Sequence, residues 1–211
     1  MPNGQTRFEC YKEISTHFNR QHVACEILSM SKNIMNEVVC TAEEIGATVH
    51  YTDTDSMHLP AHKIPELANA FRSRYGRALI GQCLGQFHSD FEFGNSYHIV
   101  DGELKRVGKT VKAVGEVVAI ESVFLGKKSY IDKLQDEEGN KAYHIRLKGI
   151  PTKCILAKAD AEYGGDVMAM YKDLYQGRGV EFDLTSGGNV CFKYDKNHTV
   201  RTTNMKRGVR F

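Results

Sequence analysis

Ala47-Thr48-Val49-His50-Tyr51-Thr52-Asp53-Thr54-Asp55-Ser56-Met57-His58-Leu59-Pro60 reads as a β-hairpin with two carboxylates at its tip. β-Branched and aromatic residues fill 47–52, Asp53-Thr54 brings turn chemistry, Ser56 to Leu59 resumes an extended pattern, and Pro60 ends it. Strand pairing makes such a tip rigid, and its exposure lets a cation held there meet a phosphate. Magnesium takes oxygen ligands and usually only one or two carboxylates together with substrate phosphates. Two such ions ~3.5–4 Å apart can activate an attacking oxygen and stabilise a leaving one. Against this stands the plain fact that Asp favours turns by bonding its own backbone, so a bare Asp-X-Asp also serves as ordinary turn chemistry.

Upstream of the hairpin, Ala24, Ile27, Leu28, Ile34, Met35, Val38, Ala42 and Ile45 recur at three- and four-residue steps. That spacing predicts a helix over 21–45, with Gly46 where a C-terminal cap is wanted. Downstream, Ile64, Leu67, Ala68, Phe71 and Leu79 predict a second helix over 64–80. The shared parity of Phe87, Phe91 and Phe93 predicts a half-buried strand over 86–93. Lys105, Arg106, Lys109 and Lys112 make 102–112 basic, a solvated loop or the lining of a duplex groove.

Residues 117–134 are β-rich, Asp136-Glu137-Glu138-Gly139-Asn140 is a polar turn, and Tyr143 to Leu147 is a further strand, so an antiparallel pair is expected across the turn. A boundary is expected near Lys148-Gly149-Ile150-Pro151. Beyond it, 153–161 and 166–176 look helical, and Phe182-Asp183-Leu184 and Val190 to Tyr194 look like strands flanking Gly187-Gly188. The expected class is α+β, an antiparallel sheet with packed helices over 1–148 and a small mixed subdomain over 149–211.

Composition bounds the reading. The 211 residues are 41% hydrophobic and 26% charged, enough for a sizeable core. A net charge of +2 is too small to imply nucleic-acid binding by itself, so such a role must rest on where the charges sit. Six cysteines, at 10, 25, 40, 83, 154 and 191, form no CxxC pair, the pattern of reduced intracellular thiols. The polar opening Met1-Pro2-Asn3-Gly4-Gln5 predicts no secretory leader. No run approaches the ~18 apolar residues of a membrane span. A soluble intracellular protein is the expectation.

A second constellation is Lys128-Ser129-Tyr130. On a strand, residues two apart share a face. The lysine would offer a point charge for phosphate and the tyrosine a hydroxyl and a stacking surface. Lysine near tyrosine on a solvated strand is common, so the triplet carries little alone.

Tyr51-Thr52-Asp53-Thr54-Asp55-Ser56 resembles the third polymerase motif of family B DNA polymerases, usually Tyr-Gly-Asp-Thr-Asp-Ser, with Thr52 where a glycine or cysteine is usual. Ser29-Met30-Ser31-Lys32-Asn33-Ile34-Met35-Asn36-Glu37-Val38 resembles the preceding helix in the viral, organellar and protein-primed branch. Glu121 to Ile131 resembles that family's Lys-X-Tyr palm strand, and Lys148-Gly149-Ile150 its passage from palm to thumb.

The resemblance implies a palm over 1–148 and a thumb over 149–211, with the thumb matched only loosely. It implies Asp55 as direct ligand of catalytic magnesium or manganese and Asp53 as a supporting ligand. Tyr51, Thr54 and Ser56 would shape the hairpin, and Lys128, Tyr130 and Lys148 would hold primer. Partners so implied are primer–template DNA, a deoxynucleoside triphosphate and, in the protein-primed type, a terminal protein. The family's first motif, Asp-X-X-Ser-Leu-Tyr-Pro, and its second, Lys-X-X-X-Asn-Ser-X-Tyr-Gly, do not occur here. The expectation is therefore a C-terminal portion of a viral or mobile-element polymerase, inactive alone and needing the upstream part of the enzyme.

Two other functions compete. An Asp-X-Asp also holds manganese in nucleotide-sugar glycosyltransferases, but those need a nucleotide-binding α/β domain before it. A non-catalytic remnant that binds primer–template DNA is the third reading. His50, His58 and His62 near the hairpin, and His88 with Asp90, match no standard zinc spacing. His58 reads as a hairpin residue. Arg201, Lys206, Arg207 and Arg210 resemble the charged end of a thumb, and Gly187-Gly188 is a turn.

Overall fold

A computed structural model describes residues 20–93, 97–100, 103–106, 113–184, 191–194, 196–197, 200–203 and 205–211. The expectations for Lys109, Lys112 and Gly187-Gly188 lie outside the described residues. The fold is α+β, with every strand ladder antiparallel.

Helix α1 (Gln21–Glu44) ends as its sequence predicts. Gly46, at φ 65°, donates its N–H to Glu43 O, and Ala47 donates to Ala42 O at 2.8 Å. These two bonds are the Schellman closure of a helix C-terminus, which needs a residue at positive φ. The apolar stripe of α1 is covered only in its second half. Met35, Val38 and Ala42 are buried, whereas Ile27 and Leu28 are more than half exposed.

The chain then runs into the hairpin β1 (Tyr51–Asp53) and β2 (Ser56–His58), with Asp53 opposite Ser56 and Tyr51 opposite His58. Helix α2 (Ile64–Tyr75) packs Leu67 and Phe71 on α1, the underside of the hairpin and Leu79. It stops five residues short of the predicted end, because Gly76 takes the left-handed conformation and closes the helix onto Arg72 O. Leu79 still reaches this core, but from the loop beyond.

Residues 86–93 do not form the predicted strand. Phe87 makes a single bridge with Ile80, and Ser89 Oγ accepts the N–H of Phe91 in a local turn. The three phenylalanines divide between two cores. Phe87 packs against the α1–α2 cluster, while Phe93 is buried with Val117, Leu134 and Ala142.

Five strands make the main sheet: β3 (Tyr97–Val100), β4 (Glu103–Arg106), β5 (Val118–Gly126), β6 (Ser129–Gln135) and β7 (Lys141–Arg146), in the order β4-β3-β7-β6-β5. The basic residues Lys105 and Arg106 lie on β4. The 136–140 turn joins β6 to β7 as expected, its Asp136 carboxylate accepting from the Val114 and Asn140 backbone.

One face of the sheet packs on α3 (Thr152–Tyr163) and α4 (Val167–Tyr175). Ile131, Tyr143, Ile145 and Leu147 meet Ile155, Met170, Tyr171 and Leu174 there, so this core runs across the 148–151 boundary region. Asp166 caps α4, accepting the Ala169 N–H at 3.0 Å. Strand β8 (Val180–Asp183) pairs with β11 (Lys206–Val209), and β9 (Cys191–Tyr194) with β10 (Val200–Thr203). Arg207 bonds Gly149 O at 3.2 Å, tying β11 to the turn after β7. Among the described residues no helix is long and apolar enough to cross a membrane.

Candidate functional site

Two hairpins build the site. In the first, the two-residue turn is Thr54-Asp55, and Asp53 is the last residue of β1. Asp55 N–H donates to Asp53 O at 2.7 Å while Thr54 sits at φ 55°. A γ-turn with positive φ at its centre is rare and strained. For a β-branched residue the cost is of order 1–3 kcal/mol. Local bonds offset it. Thr54 Oγ1 donates to Asp53 Oδ1 and Ser56 Oγ to Asp53 O, both at 3.0 Å. The turn thus sets Asp53 partly covered and Asp55 exposed, one residue further out.

The second hairpin joins β5 to β6 through a two-residue turn, Lys127-Lys128, with Gly126 opposite Ser129. Lys128 is therefore in the turn, at φ 60°, and not on the strand as its spacing predicts. Two-residue hairpin loops favour positive φ because their twist then matches that of the strands. The consequence is that Lys128 and Tyr130 do not simply share a strand face. Lys128 folds over the end of the sheet toward the first hairpin.

There the two motifs meet. Tyr51 Oη accepts the Lys128 N–H at 2.8 Å, across 77 residues of sequence. Lys128 Nζ stands 3.6 Å from Asp53 Oδ2. The Tyr51 ring lies 5.3 Å from Phe124, nearly parallel to it, and 5.0 Å from Tyr130. His58 completes the cluster, 5.4 Å edge-on to Tyr130 and 5.2 Å from Phe124, with Phe91 beyond it at 5.8 Å. Each such aromatic pair adds about 0.5–1.5 kcal/mol beyond area burial. The rings therefore fix the seating of one hairpin on the other. The Lys128–Asp53 pair is more exposed on the lysine side and contributes at most about 1 kcal/mol. An arriving cation or phosphate can displace it. The open cleft beside it, about 640 Å³, is lined by His50, Tyr51, Asp53, Thr54, Gly126 and Lys127.

Lys148 lies in the turn after β7, its N–H donating to Ser129 Oγ at 3.2 Å, beside the turn of the second hairpin. The sequence-predicted residues Tyr51, Asp53, Thr54, Asp55, Ser56, Lys128, Tyr130 and Lys148 are thus brought into one region. The region also holds a buried polar group that motif reading missed. Asp132, fully buried, accepts from Ser122 Oγ at 2.7 Å and faces His144 Nδ1 at 3.3 Å. The signal for it was parity, since 130 with 132 and 144 with 146 point to one sheet face.

Burial raises the Tyr130 phenol above its ordinary value, helped by Asp132 and opposed by Arg146, so its hydroxyl stays a donor. Burial likewise lowers His58, whose Nδ1 has no hydrogen-bond partner among the described residues, and keeps that ring neutral.

The oxygen donors of Asp53 and Asp55 fit magnesium or manganese by type. In number they fit one ion shared with substrate phosphates. Among the described residues no group of three or more His, Cys, Asp or Glu is placed to hold a metal. His50, His58 and His62 accordingly do not gather into a zinc site with a further ligand, and His88 stands 3.7 Å from Asp90 on an exposed loop. Comparison with protein-family models, with curated proteins and with solved structures finds no match.

Proposed function

We propose that this chain supplies the metal-binding palm hairpin and the primer-holding strand of a family B DNA polymerase, of the viral or mobile-element, protein-primed type. The observation that carries the reading is the meeting of Tyr51 and Asp53 with Lys128 and Tyr130. Two motifs far apart in sequence, each weak alone, meet where the Asp53 carboxylate stands beside the Lys128 ammonium.

In this reading the reaction is in-line attack of a primer 3′-hydroxyl on the α-phosphate of a deoxynucleoside triphosphate, with pyrophosphate leaving. Divalent magnesium or manganese would supply charge neutralisation at the phosphates and activation of the hydroxyl. Asp55, exposed at the tip, is the direct ligand, and Asp53 supports it from the strand end. Lys128 lies between Asp53 and the solvent, where it can pair with a primer phosphate once a cation takes its place at the carboxylate. Tyr130 offers its hydroxyl and ring edge to the primer terminus. Tyr51 locks the two hairpins together through the Lys128 N–H.

Two carboxylates on one hairpin make half of a two-metal site, so a facing carboxylate must come from outside the described residues. The family's first and second motifs do not occur in the 211 residues, so the purified chain is expected not to extend a primer. In the polymerase that carries this segment with its facing carboxylate, Asp55→Asn is expected to abolish extension and spare primer–template binding. Extension retained by that variant would refute the assignment.

A further inference from the structure

A second cavity, of about 410 Å³, opens on the opposite face of the sheet, where the turn between α3 and α4 overhangs the strands. Small-molecule sites have this size. Its floor is one row of the ladder, with Glu121 opposite Lys133 and Lys133 opposite Tyr143. Its roof is Gly164-Gly165-Asp166 and the first turn of α4. The proposed polymerase chemistry does not use it.

The polar groups around this cavity divide by whether they are committed. The two carboxylates are. Glu121 Oε1 accepts from Lys172 Nζ at 2.6 Å, and Asp166 Oδ1 accepts the Ala169 N–H at 3.0 Å. Three donors are not. Lys133 enters no ion pair among the described residues, although it pairs with Glu121 on the ladder. The second donor is at the start of α4, where a helix leaves four N–H groups without intrahelical acceptors. Asp166 donates to Tyr163 O, Val167 to Gly165 O and Ala169 to the Asp166 carboxylate. Met168 N–H is left without an acceptor among the described residues.

The third donor is Tyr143. It is only 7% exposed, and its hydroxyl makes no hydrogen bond among the described residues. Buried hydroxyls normally have a partner. The carboxylates that act on this phenol are Asp166 and Glu121, both on the cavity wall, so its oxygen faces the cavity. Burial raises the phenol above its ordinary value, helped by Asp166 and Glu121, and it stays a donor. A single water can satisfy a lone phenol. An ammonium, a phenol and a free helix N–H around one cavity favour an oxyanion.

We propose that this cavity binds a small molecule through a carboxylate or phosphate group, which takes the Met168 N–H, the Tyr143 hydroxyl and the Lys133 ammonium together. The charges of Glu121 and Asp166 balance those of Lys133 and Lys172 on the wall. A ligand of low net charge, a monocarboxylate or a phosphate monoester rather than a polyphosphate, fits that balance.

The test titrates the 211-residue chain with inorganic phosphate and, separately, with acetate, at an ionic strength held constant with chloride, and follows backbone amide chemical shifts. The Met168 amide is expected to shift saturably with at least one of the two, and the stronger binder identifies the group recognised. Lys133→Gln and Tyr143→Phe are each expected to weaken that binding about tenfold, as for one lost bond to a charged group. Lys153→Gln removes the same charge at the far end of α3, about 16 Å from Gly164 along the helix, and is expected to change nothing. If Tyr143→Phe disturbs the core, Lys133→Gln decides alone. No saturable shift at Met168 with either anion, or a shift that Lys133→Gln weakens no more than Lys153→Gln does, would overturn the proposal. Either result leaves the reading of the Asp53–Lys128 site untouched.

Discussion

His58 is the residue that most clearly joins local structure to the site. It sits opposite Tyr51 in the hairpin and against Phe124 and Tyr130, in an aromatic enclosure where its Nδ1 has no partner among the described residues. Burial is the main cause of its lowered pKa, followed by an opposing attraction from Asp132 and repulsion from His144 and His50. The sign follows from proton counting. Below the ordinary value of 6.5 the unfolded chain protonates this histidine and the folded chain resists doing so. Stability from His58 is then present above that pH and lost as pH falls below it. His58→Phe is expected to keep the ring contacts and flatten that part of the pH dependence. Thermal melts between pH ~7.5 and ~5.5 check it, since a lowered histidine is the source of the slope. An equally steep fall in the variant would show that other groups carry the effect.

At the scale of elements, much was legible from sequence where periodicity and punctuation agreed. The apolar steps of α1 and the glycine after it fix both the helix and its end, because a Schellman closure needs what Gly46 provides. Gly46→Ala meets no atom within 4 Å, so its cost is purely conformational. A destabilisation of about 1 kcal/mol is expected by denaturant titration. No change would mean that the helix end does not hold the hairpin in place.

The errors share a cause in tertiary placement. The 64–80 periodicity counted Leu79 as helical, but a residue can reach the same core from a loop once Gly76 has turned the chain. The parity of Phe87, Phe91 and Phe93 looked like one strand face, yet Phe87 and Phe93 belong to separate clusters. Strand spacing predicts Lys128 on a strand face, but it lies in a tight turn. That turn is what carries it to Asp53, a contact that no local pattern encodes. Asp132 and His144 have no motif at all. Only the register of β6 on β7 brings them opposite each other.

Across the whole molecule, the two faces of the main sheet meet different partners. One side is a continuous apolar core with α3 and α4, and the other carries Asp132, His144 and the rings of Phe124 and Tyr130 that meet the Asp53–Asp55 hairpin. Tyr171 spans the division. It is completely buried on α4 and donates its hydroxyl to Arg146 O at 2.8 Å, bracing β7 from behind. Burial pushes its phenol far above the ordinary value, so it remains a donor at any working pH. Tyr171→Phe is expected to cost about 1 kcal/mol, the usual net value of a hydrogen bond, measured by urea unfolding. A neutral result would show that β7 needs no such brace.

In the proposed polymerase reading the two hairpins act as one metal-dependent strand-binding site. The most direct measurement is paramagnetic broadening of backbone amide signals by Mn²⁺, with primer–template bound. Broadening is expected to centre on Asp53 to Ser56 and on Lys128 to Tyr130 together, and to disappear in Asp55→Asn. Broadening spread over the acidic surface, or unchanged by that substitution, would rule out a shared metal site at the two hairpins.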